Sequence, residues 1–85
     1  MNDDKLDPVT IAQAAELLGH PAPTVRVWAS RHHARKIPFR PGKTAWYDYR
    51  DLATIEACLF RKERVPATPE ERDALRAARR RAVAA

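Results

Sequence analysis

From His20 to Tyr47 the chain carries six cationic side chains, Arg26, Arg31, Arg35, Lys36, Arg40 and Lys43, and no carboxylate. Its flanks are mixed: Asp3, Asp4, Asp7 and Glu16 lie before the block, and Asp48, Asp51, Glu56 and Glu63 after it. A guanidinium fork matches both a phosphate and the O6/N7 edge of guanine, while a lysine meets phosphate as a point charge. A block of one sign inside a balanced chain therefore points to a polyanion more specifically than the net charge of +5 does alone. Simple solvation is the ordinary fate of any single Lys or Arg in such a run.

Three histidines and one cysteine invite a metal reading, but their spacing argues against it. His32 and His33 are adjacent and so splay apart on a helix, while Cys58 has no CxxC companion. Cys58 also falls mid-helix beside an apolar stripe, where cysteine behaves as a small hydrophobe rather than a nucleophile. The acids suit helix caps better than paired catalytic work, and the two glycines, Gly19 and Gly42, make no phosphate-cradling loop. No cofactor, no metal and no catalytic residue is expected. The chain does not read as an enzyme.

The elements that must position the basic block follow from periodicity and punctuation. Residues 1–8 are polar and aperiodic, and read as a flexible arm. Thr10 and Gln13 form a capping box, with Val9 placed to staple onto Ala14. Ile11, Ala14, Ala15 and Leu18 then share a helix face, and Gly19 ends the helix. After a short turn, a second helix is predicted from about Pro23 to Arg31 or His32, since proline fits a first helical turn. Val25, Trp28 and Ala29 occupy one side of it; Thr24, Arg26, Val27, Ser30 and Arg31 fall around the other. Trp28 is expected in the core. Trp46 is also expected there, with an exposed contact to DNA or a partner as the alternative.

Between Arg35 and Tyr47 the pattern changes. Residues 37–40 and 43–47 read as two short strands about a Pro41-Gly42 turn, a small wing. Asp48 caps a third helix running to about Arg64, with Leu52, Ile55 and Leu59 as its buried stripe and Cys58 and Phe60 beside it. Thr68-Pro69-Glu70-Glu71 opens a last helix, rich in arginine from Arg72 to Arg81 and poor in large apolar residues beyond Leu75 and Val83. It is expected to fray, project or need a partner, so that truncation after Ala67 leaves the rest folded.

This order of elements resembles the MerR-like winged helix family, particularly the excisionase type. The resemblance rests on residues 9–19 (VTIAQAAELLG), on Thr24-Val25-Arg26-Val27-Trp28-Ala29, on Ile37-Pro38, and on residues 47–52 (YDYRDL). It implies a mostly α fold with a small two-stranded β wing: a winged helix-turn-helix plus a C-terminal helix. It also implies that the second helix enters the major groove and that the wing tip grips backbone or the adjacent minor groove. Two departures stand out. Pro21 occupies the place of a Ser or Thr cap, and Val27 replaces a common basic residue, leaving an apolar contact suited to a thymine methyl.

The expected DNA-binding residues are accordingly Thr24, Arg26, Val27, Ser30, Arg31, Arg35, Lys36, Arg40 and Lys43. Three segments are expected: a flexible arm at 1–8, a DNA-binding domain at 9–65 and a basic helical tail at 66–85. At 85 residues and 45% hydrophobic, the chain is sized for one such unit. The expected partner is double-stranded DNA, joined by a second copy of the chain or an integrase-like protein. Operator binding, excision and small-terminase-type packaging stay open as roles, as does an interaction module that docks its basic tail on an acidic protein. The lone Cys58 and the lack of any long apolar run suggest a cytoplasmic, nucleoid-associated protein without a membrane partner.

Overall fold

A computed structural model of the chain describes residues 7–38 and 40–84. Residues 1–6, which carry most of the expected arm, and Phe39 of the expected wing lie outside the described residues. Among those described there are four helices, α1 Ile11–Leu18, α2 Ala22–Arg31, α3 Tyr49–Phe60 and α4 Pro69–Ala84, with two short strands, β1 Pro8–Val9 and β2 Tyr47–Asp48. The protein is thus mostly helical with a small antiparallel sheet.

Local chemistry explains the helix starts. The Gln13 amide donates to Thr10 Oγ1 at 3.1 Å, and the Thr10 amide donates to Gln13 Oε1 at 3.0 Å, satisfying two donors that a helix start leaves open. Thr68 and Glu71 repeat the device at α4, with the Glu71 amide 3.1 Å from Thr68 Oγ1 and the Thr68 amide 3.1 Å from Glu71 Oε1. α2 begins without a side-chain cap, one residue before the predicted Pro23. The extended Pro21 offers its carbonyl to the amides of Thr24 and Val25 at 3.0 and 3.2 Å. Pro23 then sits in the first turn, where no N–H is needed.

The sheet departs from the predicted wing. Instead of pairing with the 37–40 segment, Tyr47–Asp48 pairs with Pro8–Val9, in register Pro8↔Asp48 and Val9↔Tyr47. Pro8, assigned to the flexible arm, is therefore a strand residue. The basic segment makes one bridge, Lys36↔Tyr47, and is pinched at its neck by the Ile37 amide on the Trp46 carbonyl (2.8 Å) and the Asp48 amide on the Arg35 carbonyl (3.0 Å). Beyond the neck, the described residues form a loop. Pro38 and Pro41 have no N–H to donate to a ladder, and Gly42 takes a φ of 90° that regular strands do not use.

The core gathers Val9, Ala14, Ala15, Val25, Ala29, Ala34, Leu52 and Ile55, with Trp28, Tyr47, Tyr49 and Val65 packed on it. Three of the alanines, Ala14, Ala15 and Ala29, lie on the facing sides of α1 and α2 and keep that contact small. On α3 the inward row is Leu52, Ile55 and Cys58; Leu59 is largely outside the core and Phe60 is 82% exposed, contrary to the stripe predicted through Leu59. The helix also stops at Phe60 rather than near Arg64. Lys62 turns left-handed (φ 58°), and the Glu63 amide returns to the Cys58 carbonyl at 2.9 Å, closing the end.

α4 packs on α3, against the expectation of a helix with little to bury. What it buries is Arg72, whose side chain has no solvent exposure, while Leu75 stays partly exposed. Apolar anchors show in a sequence pattern; a buried arginine such as Arg72 does not.

Candidate nucleic-acid interface

α2 divides cleanly by face. Val25 and Ala29 are buried with Ala22 and Trp28 beside them, and Pro23, Arg26, Val27, Ser30 and Arg31 are exposed at helical i, i+3, i+4, i+7 and i+8 spacing. Of the predicted residues on this helix, four share the outer face: Arg26, Val27, Ser30 and Arg31. Thr24 is half-buried at the helix start, and its amide is already donated to Pro21, so only its hydroxyl is left to meet a ligand.

Lys36, Arg40 and Lys43 stand exposed on the loop that follows. Arg40 lies over the Trp46 ring, with its guanidinium carbon 4.4 Å from the ring centroid. A stacked guanidinium keeps its in-plane N–H groups open to an anion while losing little freedom on binding. Trp46, expected in the core, is instead half-buried outside the core cluster and forms the platform under Arg40. Among the described residues, no carboxylate pairs with Arg26, Arg31, Lys36, Arg40 or Lys43.

Arg35 belongs elsewhere. Its guanidinium meets Asp73 at 2.9 Å, Glu70 at 3.5 Å and the buried Asp48 at 3.6 Å, and its amide donates to Asp51 Oδ2 at 2.8 Å. The hydrogen bond to Asp73 raises the Arg35 pKa above its ordinary value, with burial opposing and the charges of Asp73, Asp51 and Asp48 assisting. On the other partner, burial pushes the Asp73 carboxyl up, but the Arg35 hydrogen bond and the charges of Arg35, Arg76 and Arg50 leave it below its ordinary value. Arg35 is held inward by these partners and leaves the candidate surface.

The two acids that follow the basic loop, Asp48 and Asp51, are thus buried rather than facing it. Asp48 caps α3 by accepting the Arg50 amide at 3.1 Å, and Asp51 receives the Arg72 fork at 2.5 and 2.7 Å. The remaining histidines are structural neighbours of the site. His20 contacts Trp28 edge-on at 4.8 Å and Glu56 at 3.3 Å. His32 is held below its ordinary pKa by burial first, then by the charges of Arg72, Arg31 and His33. Among the described residues, no group of His, Cys, Asp and Glu is placed to hold a metal, and no helix is long and apolar enough to cross a membrane.

No protein family matches the chain, and neither curated proteins nor solved structures include a similar one.

Proposed function

We propose that this protein binds double-stranded DNA in the manner of a small winged helix-turn-helix regulator or excisionase, without catalysis. α2 is the element that enters the major groove, and the basic loop takes the place of the wing. The observation that carries the reading is the charge sorting: among the described residues, Arg26, Arg31, Lys36, Arg40 and Lys43 are exposed with no paired carboxylate, while Asp48 and Asp51 are buried. Such a surface meets phosphates without first breaking internal ion pairs. Between the two arginines of α2, Val27 at 48% exposure and Ser30 offer an apolar contact and a hydroxyl to base edges.

The test is binding of the full chain to a random-sequence duplex and to the best site selected from a random duplex library. Arg26→Ala is expected to weaken the selected site by roughly tenfold or more and the random duplex less, as for a base-reading arginine. Removing Arg40 and Lys43 is expected to lower the slope of log affinity against log salt by about 0.9 per lost phosphate contact. Affinity for both duplexes unchanged by Arg26→Ala, in a folded variant, removes α2 from the interface.

A further inference from the structure

Arg72 is a residue of α4, yet its contacts reach three other parts of the chain. Nε and Nη2 grip Asp51 at the start of α3 at 2.5 and 2.7 Å, Nη2 also donates to the His33 carbonyl at 3.3 Å, and Nη1 donates to the Pro66 carbonyl at 2.8 Å. His33 is the left-handed residue (φ 51°) that ends α2, where the Ala34 amide returns to the Ala29 carbonyl at 3.0 Å. One residue later the Arg35 amide binds the same Asp51 carboxylate, and the Arg35 side chain binds Asp73, the neighbour of Arg72. Residues 33–35 are the corner that joins α2 to the neck of the basic loop. They are held from outside by two consecutive residues of α4 and by the carboxylate that Arg72 grips.

We infer that Arg72 and Asp73 are positioning residues for DNA recognition, fixing the angle between α2 and the basic loop so that both reach one duplex in register. The inference rests on the proposed DNA-binding reading and adds the element that gives it selectivity. Apart from Ala34, which is buried in the core, the corner is held loosely: α2 ends there, a left-handed non-glycine residue follows, and the neck beyond is the single Lys36↔Tyr47 bridge with its two backbone hydrogen bonds. A bidentate, buried guanidinium with two further carbonyl acceptors is directional where an apolar contact is not. Neither Arg72 nor Asp73 needs to touch DNA for this. Both phosphate-facing surfaces persist if the lock is loosened, but their mutual geometry does not.

The experiment is native-state amide hydrogen exchange on the full chain, read by NMR for the wild type, Arg72→Lys and Asp73→Asn. Arg72→Lys keeps the charge and loses the fork; Asp73→Asn is the milder change and keeps the variant set informative if the first fails to fold. Exchange of the Ile37 and Asp48 neck amides is expected to accelerate by about tenfold in either variant, with α1 amides changed far less, as for a local opening. Uniform acceleration at every amide, or none at the neck, overturns the positioning role. In parallel, the affinity ratio between the selected site and the random duplex is expected to fall by about tenfold with the salt slope retained, because the phosphate-facing cations are untouched. A loosened neck with an unchanged ratio overturns the link to recognition. If the wild type binds no duplex, the proposed function fails along with that link, while the exchange data still decide whether α4 holds the corner.

Discussion

α1 and α2 meet over alanine and valine, whereas α3 and α4 are joined by arginine and aspartate. In the first region Ala14, Ala15, Val25 and Ala29 bring two helices together by removing apolar surface from water, a force without direction. In the second, Arg72 enters the interior already matched to Asp51 and two carbonyls, and Arg76 donates to the Arg50 carbonyl at 3.2 Å and to Thr54 Oγ1 at 2.7 Å. Apolar packing tolerates small sliding and repacking; a fork on a carboxylate does not. The difference teaches that one small fold can use burial to form its helices' platform and charge geometry to fix the parts that must keep an angle.

The largest expected effect breaks the second region. Arg72→Met leaves the Asp51 carboxylate buried without its fork and is expected to cost about 3–5 kcal/mol, against about 3 kcal/mol for Leu52→Ala in the apolar core. The double variant Asp51→Leu/Arg72→Met recovers part of the loss, because the unpaired charge is removed with its partner. Denaturant unfolding of the three proteins decides the matter. If Arg72→Met proves milder than Leu52→Ala, α4 is held by something other than its arginine.

Acid titration separates the regions by pH. The folded Asp73 pKa lies below its ordinary 3.8, so the stability it contributes is complete above 3.8 and is lost as pH falls from there through the lower folded value. The folded His32 pKa lies below its ordinary 6.5, so stability is complete above 6.5 and declines as pH falls from 6.5 toward that lower value. Unfolding midpoints measured from neutral to acid pH are expected to show both declines. Asp73→Asn flattens the lower one and His32→Gln the upper one. The opposite assignment would sink the reading of either partner set.

The smallest effect concerns helix ends. Lys62 pays a left-handed penalty of about 1–2 kcal/mol that glycine avoids, partly offset by glycine's greater chain entropy. Lys62→Gly is therefore expected to raise stability by about 0.5 kcal/mol, seen as a melting temperature a few degrees higher. A fall instead means that the Lys62 side chain makes a contribution beyond its backbone.

The same contrast explains what could be read from the chain. The capping box at Thr10, the Thr68-Pro69 start and the inward face of α2 were legible because each is a short-range rule acting on neighbours. The stop at Gly19 was legible for the same reason. The stops at His33 and Lys62 use the same left-handed turn without glycine, so their sequences carry no warning. Aromatic and β-branched residues suggested a two-stranded wing, but Pro38 and Pro41 let only the Lys36↔Tyr47 bridge form, and Pro8–Val9 pairs with the other edge of Tyr47–Asp48. The outer α2 residues of the candidate site followed from periodicity. Removing Arg35 from it, and finding Arg72 behind it, required contacts between positions 38 and 21 residues apart, which no local pattern encodes.

The stacking of Arg40 on Trp46 has a practical corollary. The chain holds two tryptophans, Trp28 edge-on to His20 among the helices and Trp46 under Arg40 at the loop. Replacing Trp28 with phenylalanine leaves a single tryptophan, stacked under the side chain proposed to meet phosphate. Any anion that draws Arg40 off the ring then changes the fluorescence of the loop directly, without an added dye, so the molecule carries its own optical gauge of whether the loop has closed on a ligand.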